Sequence, residues 1–142
     1  MRISDVLKSK SADVVTLTPD TTVRDLIAVL AEHNIGAVIV STDQATVAGI
    51  VSERDIVRRL SSETNVLDTA IGDIMTAQVQ TAKPDDSVDD LMRIMTEHRI
   101  RHVPVVVDGA LRGIVSIGDV VKSRIGQLEF ERDQLESYVH TQ

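Results

Sequence analysis

Residues 101–119, RHVPVVVDGALRGIVSIGD, decide the fold. Val103, Val105 and Val107 recur with the period of two that a strand requires. Asp108 and Gly109 follow, and this pair tolerates the positive φ angles of a tight hairpin turn. A second apolar run containing Gly113 then leads to Ser116 and Asp119, where a helix is expected to start. The stretch therefore reads as strand, turn, strand and helix start. A weaker copy lies at residues 36–55, GAVIVSTDQATVAGIVSERD. That duplication is the main clue to function.

Working outward, the copies belong to a longer repeat. A shift of 65 residues pairs Pro19 with Pro84, Val23 with Val88, Asp25-Leu26 with Asp90-Leu91, and Glu32-His33 with Glu97-His98. Past the hairpins the shift becomes 64, and Gly49-Ile50-Val51-Ser52 pairs with Gly113-Ile114-Val115-Ser116, and Asp55 with Asp119. Each unit reads as a strand (residues 14–17 and 79–82), a helix, a hairpin and a second helix. Thr22 and Ser87 are the expected caps of the first helices, with Asp25 and Asp90 three residues on. Val23, Leu26, Ile27 and Leu30 form the apolar face of one, and Val88, Leu91, Met92 and Met95 that of the other. His33 and His98 sit in the last turns.

The expected fold class is α+β: two β-α-β-β-α repeats about a pseudo-twofold axis, with a C-terminal helix. Neither unit is large enough to bury its sheet alone, so the two are expected to share an interface with two related clefts. The boundaries fall at 1–66, 67–125 and 126–142. In the last segment Val121, Ile125, Leu128, Leu135 and Val139 recur near heptad spacing, with Arg132 at the interrupting position. This favours a long helix used in subunit contact. The alternative is a helix folded back on its own domain, with Gly126 marking a break.

Composition removes several function classes. There is no cysteine, which excludes disulfides, thiolate metal sites and cysteine catalysis. Aromatic content is 1%, so a flat ligand must pack on aliphatic side chains. A net charge of −7 disfavours a general nucleic-acid surface. No apolar run reaches membrane-spanning length and the start lacks a signal-peptide core, which reads as a cytoplasmic protein without membrane association. His33, His98, His102 and His140 lack metal-ligand spacing, and no nucleophile stands near a base. A catalytic or metal role is not expected.

Two Ser-x-x-Asp pairs remain: Ser52 with Asp55, and Ser116 with Asp119. Each follows a glycine-containing strand. A carboxylate there can accept hydrogen bonds from adjacent ribose hydroxyls, while the serine caps the helix or helps hold the sugar or phosphate. The same spacing also describes a plain helix cap. Arg101 and His102 are candidate phosphate contacts, with Arg99, Lys83, Arg54 and Arg58 as further basic contributors; a solvated positive rim is the alternative. Gly36 and Ala37 replace Arg101 and His102 in the first unit, so the two clefts should differ. The second unit, with Arg101, His102, Ser116 and Asp119, reads as the phosphate-and-ribose side. There is no GxGxxG fingerprint and no P-loop lysine motif.

The repeated order, with GIVSERD, GIVSIGD and EHRIRHVPVV in their places, resembles a tandem pair of cystathionine beta-synthase (CBS) domains, a Bateman module. The resemblance covers residues 1 to about 125. It implies clefts for adenine nucleotides between the halves: AMP, ADP, ATP or NAD, with no cofactor required. The matching ligand-binding positions are Ser52, Arg54 and Asp55 with Val38, and Arg101, His102, Val103, Pro104, Ser116, Gly118 and Asp119. Residues ahead of each first strand are implied to line the partner half's pocket: Lys10 to Val14, with Lys10, Ala12 and Val14 as contacts, toward Asp119, and Ile74 to Val79, with Ile74, Met75 and Ala77 as contacts, toward Asp55. The resemblance further implies a stand-alone regulatory sensor, a homodimer, and an unidentified effector protein as downstream partner.

Overall fold

The computed structural model describes residues 1–10 and 14–140. The chain runs α1 (Ile3–Lys8), β1 (Thr16–Leu17), α2 (Val23–His33), β2 (Ala37–Val40), β3 (Gly49–Ser52) and α3 (Glu53–Leu60). Two 3-10 turns follow, Val66–Asp68 and Ile71–Asp73, then α4 (Val88–His98), β4 (His102–Val107), β5 (Ala110–Ser116) and α5 (Ile117–His140). The strands form a sheet of order β1-β2-β3, with β1 parallel and β3 antiparallel to β2, and a separate β4-β5 hairpin. Asp108 and Gly109 close that hairpin with φ of 51° and 77°, the conformation their residue types admit. The helix starts also follow the sequence: Thr22 Oγ1 accepts from Asp25 N at 3.2 Å, and Ser87 Oγ from Asp90 N at 3.0 Å.

Two expectations change, and one alternative falls. The strand predicted at residues 79–82 shrinks to one parallel bridge, Ala82 with Val105, because only Ala82 of that polar run is deeply buried. Ile27 is 39% exposed, since Val23, Leu26 and Leu30 fill the inward face of α2 and leave Ile27 at its rim. The alternative that falls is the break at Gly126, since α5 continues through it as the favoured long helix requires. Glycine weakens a helix by about 1 kcal/mol relative to alanine, too little to interrupt one this long. Residues 128–140 are exposed throughout, so the helix does not fold back on its own domain.

The cores do not follow the sequence repeats. One gathers Val23, Leu26, Val38, Val40 and Val51 with Val66 and Ile71 from the inter-repeat segment. The other gathers Val88, Leu91, Met95, Val103 and Val115 with Ile3 and Val6 from α1. Each leader segment thus packs on the opposite repeat. Ile71 N donates to Thr21 O at 2.8 Å and Gly72 N to Pro19 O at 2.9 Å; Ile3 N donates to Asp86 O and Ser4 N to Pro84 O, both at 3.0 Å. At roughly 1.5–3 kcal/mol per buried Ile or Val, these exchanged side chains tie the halves together.

Candidate functional site

The crossed leaders set the walls of the first cleft. Thr76 exchanges backbone hydrogen bonds with Ile50, N to O at 2.9 Å and the reverse at 3.0 Å. This brings the chain ahead of the second repeat against β3, where Gly49 leaves no room for a side chain: a Cβ there would lie 2.5 Å from Met75 Sδ. β3 ends at Ser52 and α3 begins at once, so Asp55 stands at its third residue. Ser52 donates to Asp55 Oδ2 twice, from N at 2.8 Å and from Oγ at 3.2 Å. The capping geometry is therefore real. Both bonds use one oxygen, so capping and a hydroxyl contact are compatible.

A cavity of about 430 Å³ opens at this corner. Ser52, Glu53, Arg54, Asp55 and Arg58 line it from the first repeat, with Thr76, and His98, Arg99, Arg101 and His102 from the second. The lining includes no aromatic carbocycle, so Ile50 and Ile100 are its apolar surfaces. His102 is the first residue of β4, and its ring packs where Gly36 has no side chain, 3.5 Å from that residue's Cβ position. The residue types that make the two copies differ are thus complementary in space. Burial lowers the His102 pKa from its ordinary 6.5. Glu53 and Asp119 oppose that shift, while Lys10 and Arg101 add to it.

The second Ser-x-x-Asp corner is built alike but is occupied from within. Asp119 Oδ2 accepts from Ser116 N at 2.9 Å, and Ser116 Oγ accepts from Asp119 N at 3.1 Å. Lys10 Nζ donates to the same Asp119 oxygen at 2.6 Å and to Ile114 O at 2.7 Å. Burial raises the Asp119 pKa, but the Lys10 and Ser116 hydrogen bonds outweigh it and hold the carboxyl below its ordinary value.

The structure therefore brings Ser52, Arg54, Asp55, Arg101 and His102 to one cavity, and Lys10, Ser116 and Asp119 to a second corner that His102 adjoins through its pairing with Ser116. Arg101 and His102 line the cavity at Asp55 and also adjoin the Asp119 corner, since Arg101 O accepts from Ile117 N at 2.8 Å and His102 pairs with Ser116 across β4 and β5. Val38 and Val103 point into the two cores, and Pro104 is buried with its carbonyl bonded to Ala82 N. Ile74 and Met75 pack against the first core, whereas Ala77 and Gly118 are exposed and Val14 is half-buried. Ala12 lies outside the described residues. Lys83 does not line this cavity. Thr76 falls within the stretch expected at the Asp55 cleft, whereas sequence reasoning missed Gly36, Ile50, Glu53, His98 and Ile100 as walls. A signal for the crossed leaders did exist, since Ile3-x-Asp5-Val6-Leu7 echoes Ile71-x-Asp73-Ile74-Met75.

Comparison with known proteins assigns this architecture. The family model for the CBS domain matches residues 3–62 and 71–126. The chain belongs to the CBS domain family. CBS pairs are characteristically regulatory, non-catalytic modules, and among the described residues no three His, Cys, Asp or Glu side chains gather as a metal site. The mitochondrial CBS domain-containing protein CBSX3 of Arabidopsis thaliana is 40% identical over 96% of this chain and 71% of its own length. A CBS domain protein of Pyrobaculum aerophilum, PAE2072, solved with AMP, is 31% identical with a TM-score of 0.75 over 84% of this chain and 89% of that one. The CBS pair of protein MJ0100, solved with 5′-methylthioadenosine and S-adenosyl-L-methionine, is 26% identical with a TM-score of 0.79 over 89% and 98%. Adenine-derived ligands are thus common to these two relatives. No helix among the described residues is long and apolar enough to cross a membrane.

Proposed function

We propose that this CBS pair is a regulatory protein that binds an adenine nucleotide, AMP, ADP, ATP or NAD, in the cavity beside Ser52 and Asp55. One observation carries the reading: a single cavity collects a helix-capping carboxylate, aliphatic walls and a cluster of arginines. Asp55 accepts the ribose hydroxyls, the base packs against Ile50 and Thr76, and the phosphate meets the arginine side. The adenine-derived ligands of PAE2072 and MJ0100 support the same ligand class. Binding transmits a signal to the extent that its affinity differs between two shapes of the protein. Calorimetric titration of the full chain tests this. One saturable adenine nucleotide per chain is expected, and failure of AMP, ADP, ATP and NAD alike would falsify the reading.

A homodimer belongs to the same proposal. Val121, Ile125, Leu128, Leu135 and Val139 are exposed along α5, and a second copy supplies a matching apolar stripe. An antiparallel pair sets Arg132 beside Leu128 of the other copy and brings Lys122 near the other Glu136, while a parallel pair stacks Arg132 on Arg132. Leu128→Glu combined with Leu135→Glu is expected to halve the mass measured by sedimentation equilibrium. A dimer that persists would remove α5 from the interface.

A further inference from the structure

The two leaders reach their corners alike up to one point and then part. Leu7 stands against Gly113 as Met75 stands against Gly49, at matching places in the Ile3 and Ile71 stretches. Beyond Met75 the leader joins β3 through its backbone, where Thr76 N donates to Ile50 O at 2.9 Å. The counterpart of Ile50 is Ile114, and there a side chain reaches the carbonyl: Lys10 Nζ donates to Ile114 O at 2.7 Å. The first leader carries Gln78 at the place of Lys10, and Gln78 is exposed. The cation is therefore particular to the second corner.

The consequence is spatial. In the first corner Ile50, Ser52, Asp55 and Thr76 all line the open cavity. In the second, the counterparts of Ile50 and Asp55 are bridged, because Lys10 Nζ also donates to Asp119 Oδ2 at 2.6 Å. An ammonium bonded to both groups lies between strand and helix start, and its four-carbon stem crosses the corner to reach that place. Asp119 keeps its other oxygen, so space rather than acceptor capacity is what Lys10 takes. The Lys10 and Asp119 side chains are 27% and 23% exposed, which sets the pair at the mouth of the corner and keeps it displaceable. Its removal leaves the leader in place, since Ile3 and Val6 anchor α1 in the core.

We infer that Lys10 is a specificity-determining plug, whose side chain holds the second corner closed to the sugar of an adenine compound and so directs the ligand to Asp55. This rests on the nucleotide reading for the class of ligand, and on the Lys10 bridge alone for the closure. With the side chain withdrawn, Asp119 keeps its bond from Ser116 N and presents a carboxylate open to hydroxyls, as Asp55 does beside Ser52. One residue of the leader thus makes two corners of like construction unequal.

Calorimetric titrations of adenosine and AMP into the full native chain, into Lys10→Ala, and into Lys10→Ala combined with Asp119→Ala test this. Lys10→Ala is expected to bind a second equivalent per chain at least about 10-fold more tightly than the native chain does, and the double variant to lose it. A native second equivalent as tight as that of Lys10→Ala overturns the inference and leaves the nucleotide reading standing. So does a Lys10→Ala chain that loses stability in urea but gains no binding, which makes Lys10 a fastener of the leader and nothing more. A native chain that binds neither compound, beside a Lys10→Ala chain that binds one through Asp119, sinks the Asp55 reading and supports the plug. Absence of any Asp119-dependent binding in Lys10→Ala overturns the plug whatever happens at Asp55.

Discussion

The corners at Asp55 and Asp119 share a spacing, a cap and a preceding glycine strand, yet their surroundings differ in charge. Asp55 faces a cavity with an excess of arginine, and Asp119 is already bonded to Lys10 at 2.6 Å. The Ser-x-x-Asp spacing therefore specifies a capped carboxylate and nothing about its availability. What distinguishes the two is supplied from outside each motif, by the leader crossing from the other half. Thr76 reaches the first corner as a wall, and Lys10 reaches the second as a counter-ion.

The sharpest way to break this comparison is to remove each carboxylate in turn. Asp55→Ala is expected to weaken nucleotide binding at least ~100-fold, since hydrogen bonds to a charged group contribute about 1.5–3 kcal/mol each. Asp119→Ala is expected to leave nucleotide affinity within about 3-fold and to lower stability instead, because a half-buried Lys10 loses its partner. Titration calorimetry and urea unfolding on both variants read the two effects. The reverse pattern, with binding lost only at Asp119, would move the ligand to the second corner.

A second contrast tests the crossed leaders. At Gly49 an added Cβ meets Met75 Sδ at 2.5 Å and the backbone oxygen of Thr76 at 2.9 Å. At Gly113 it meets Leu7 Cδ2 at 2.8 Å, the end of a side chain that can rotate away. Gly49→Ala is expected to destabilise by about 3 kcal/mol and Gly113→Ala by about 1 kcal/mol. Denaturant midpoints compare them directly. Equal losses would mean that the two leader contacts yield alike.

How much of this was legible follows from where each signal resides. The β4-β5 hairpin and the helix caps are local, fixed by Asp108-Gly109 and by hydroxyls three residues ahead of acids, so the chain states them plainly. The cavity is assembled from distant segments. The side of the cleft taken by Arg101 and His102 depends on how one repeat faces the other, and the repeat's periodicity does not encode that. Gly36 illustrates the loss: it reads as a missing charge, yet in space it is the gap that receives the His102 ring. Val38 and Val103 belong to the two cores for the complementary reason, since alternation in a strand marks an inward face without saying whether core or cleft lies there.

The smallest effect expected is a pH dependence that separates the corners by window. Burial lowers the folded-state pKa of His102 below its ordinary 6.5, so the folded chain favours neutral imidazole. Below 6.5 the unfolded chain binds more protons at this group, and stability falls as pH drops through that window toward the folded value. For Asp119, the net shift below the ordinary 3.8 acts in a different range. Its contribution is present above 3.8 and is lost only as pH falls further. His102→Asn is therefore expected to flatten stability just below 6.5 while leaving the loss below 3.8 intact. Urea midpoints taken across both ranges separate the two groups. A slope below 6.5 that survives in His102→Asn would leave His102 without an energetic role in folding.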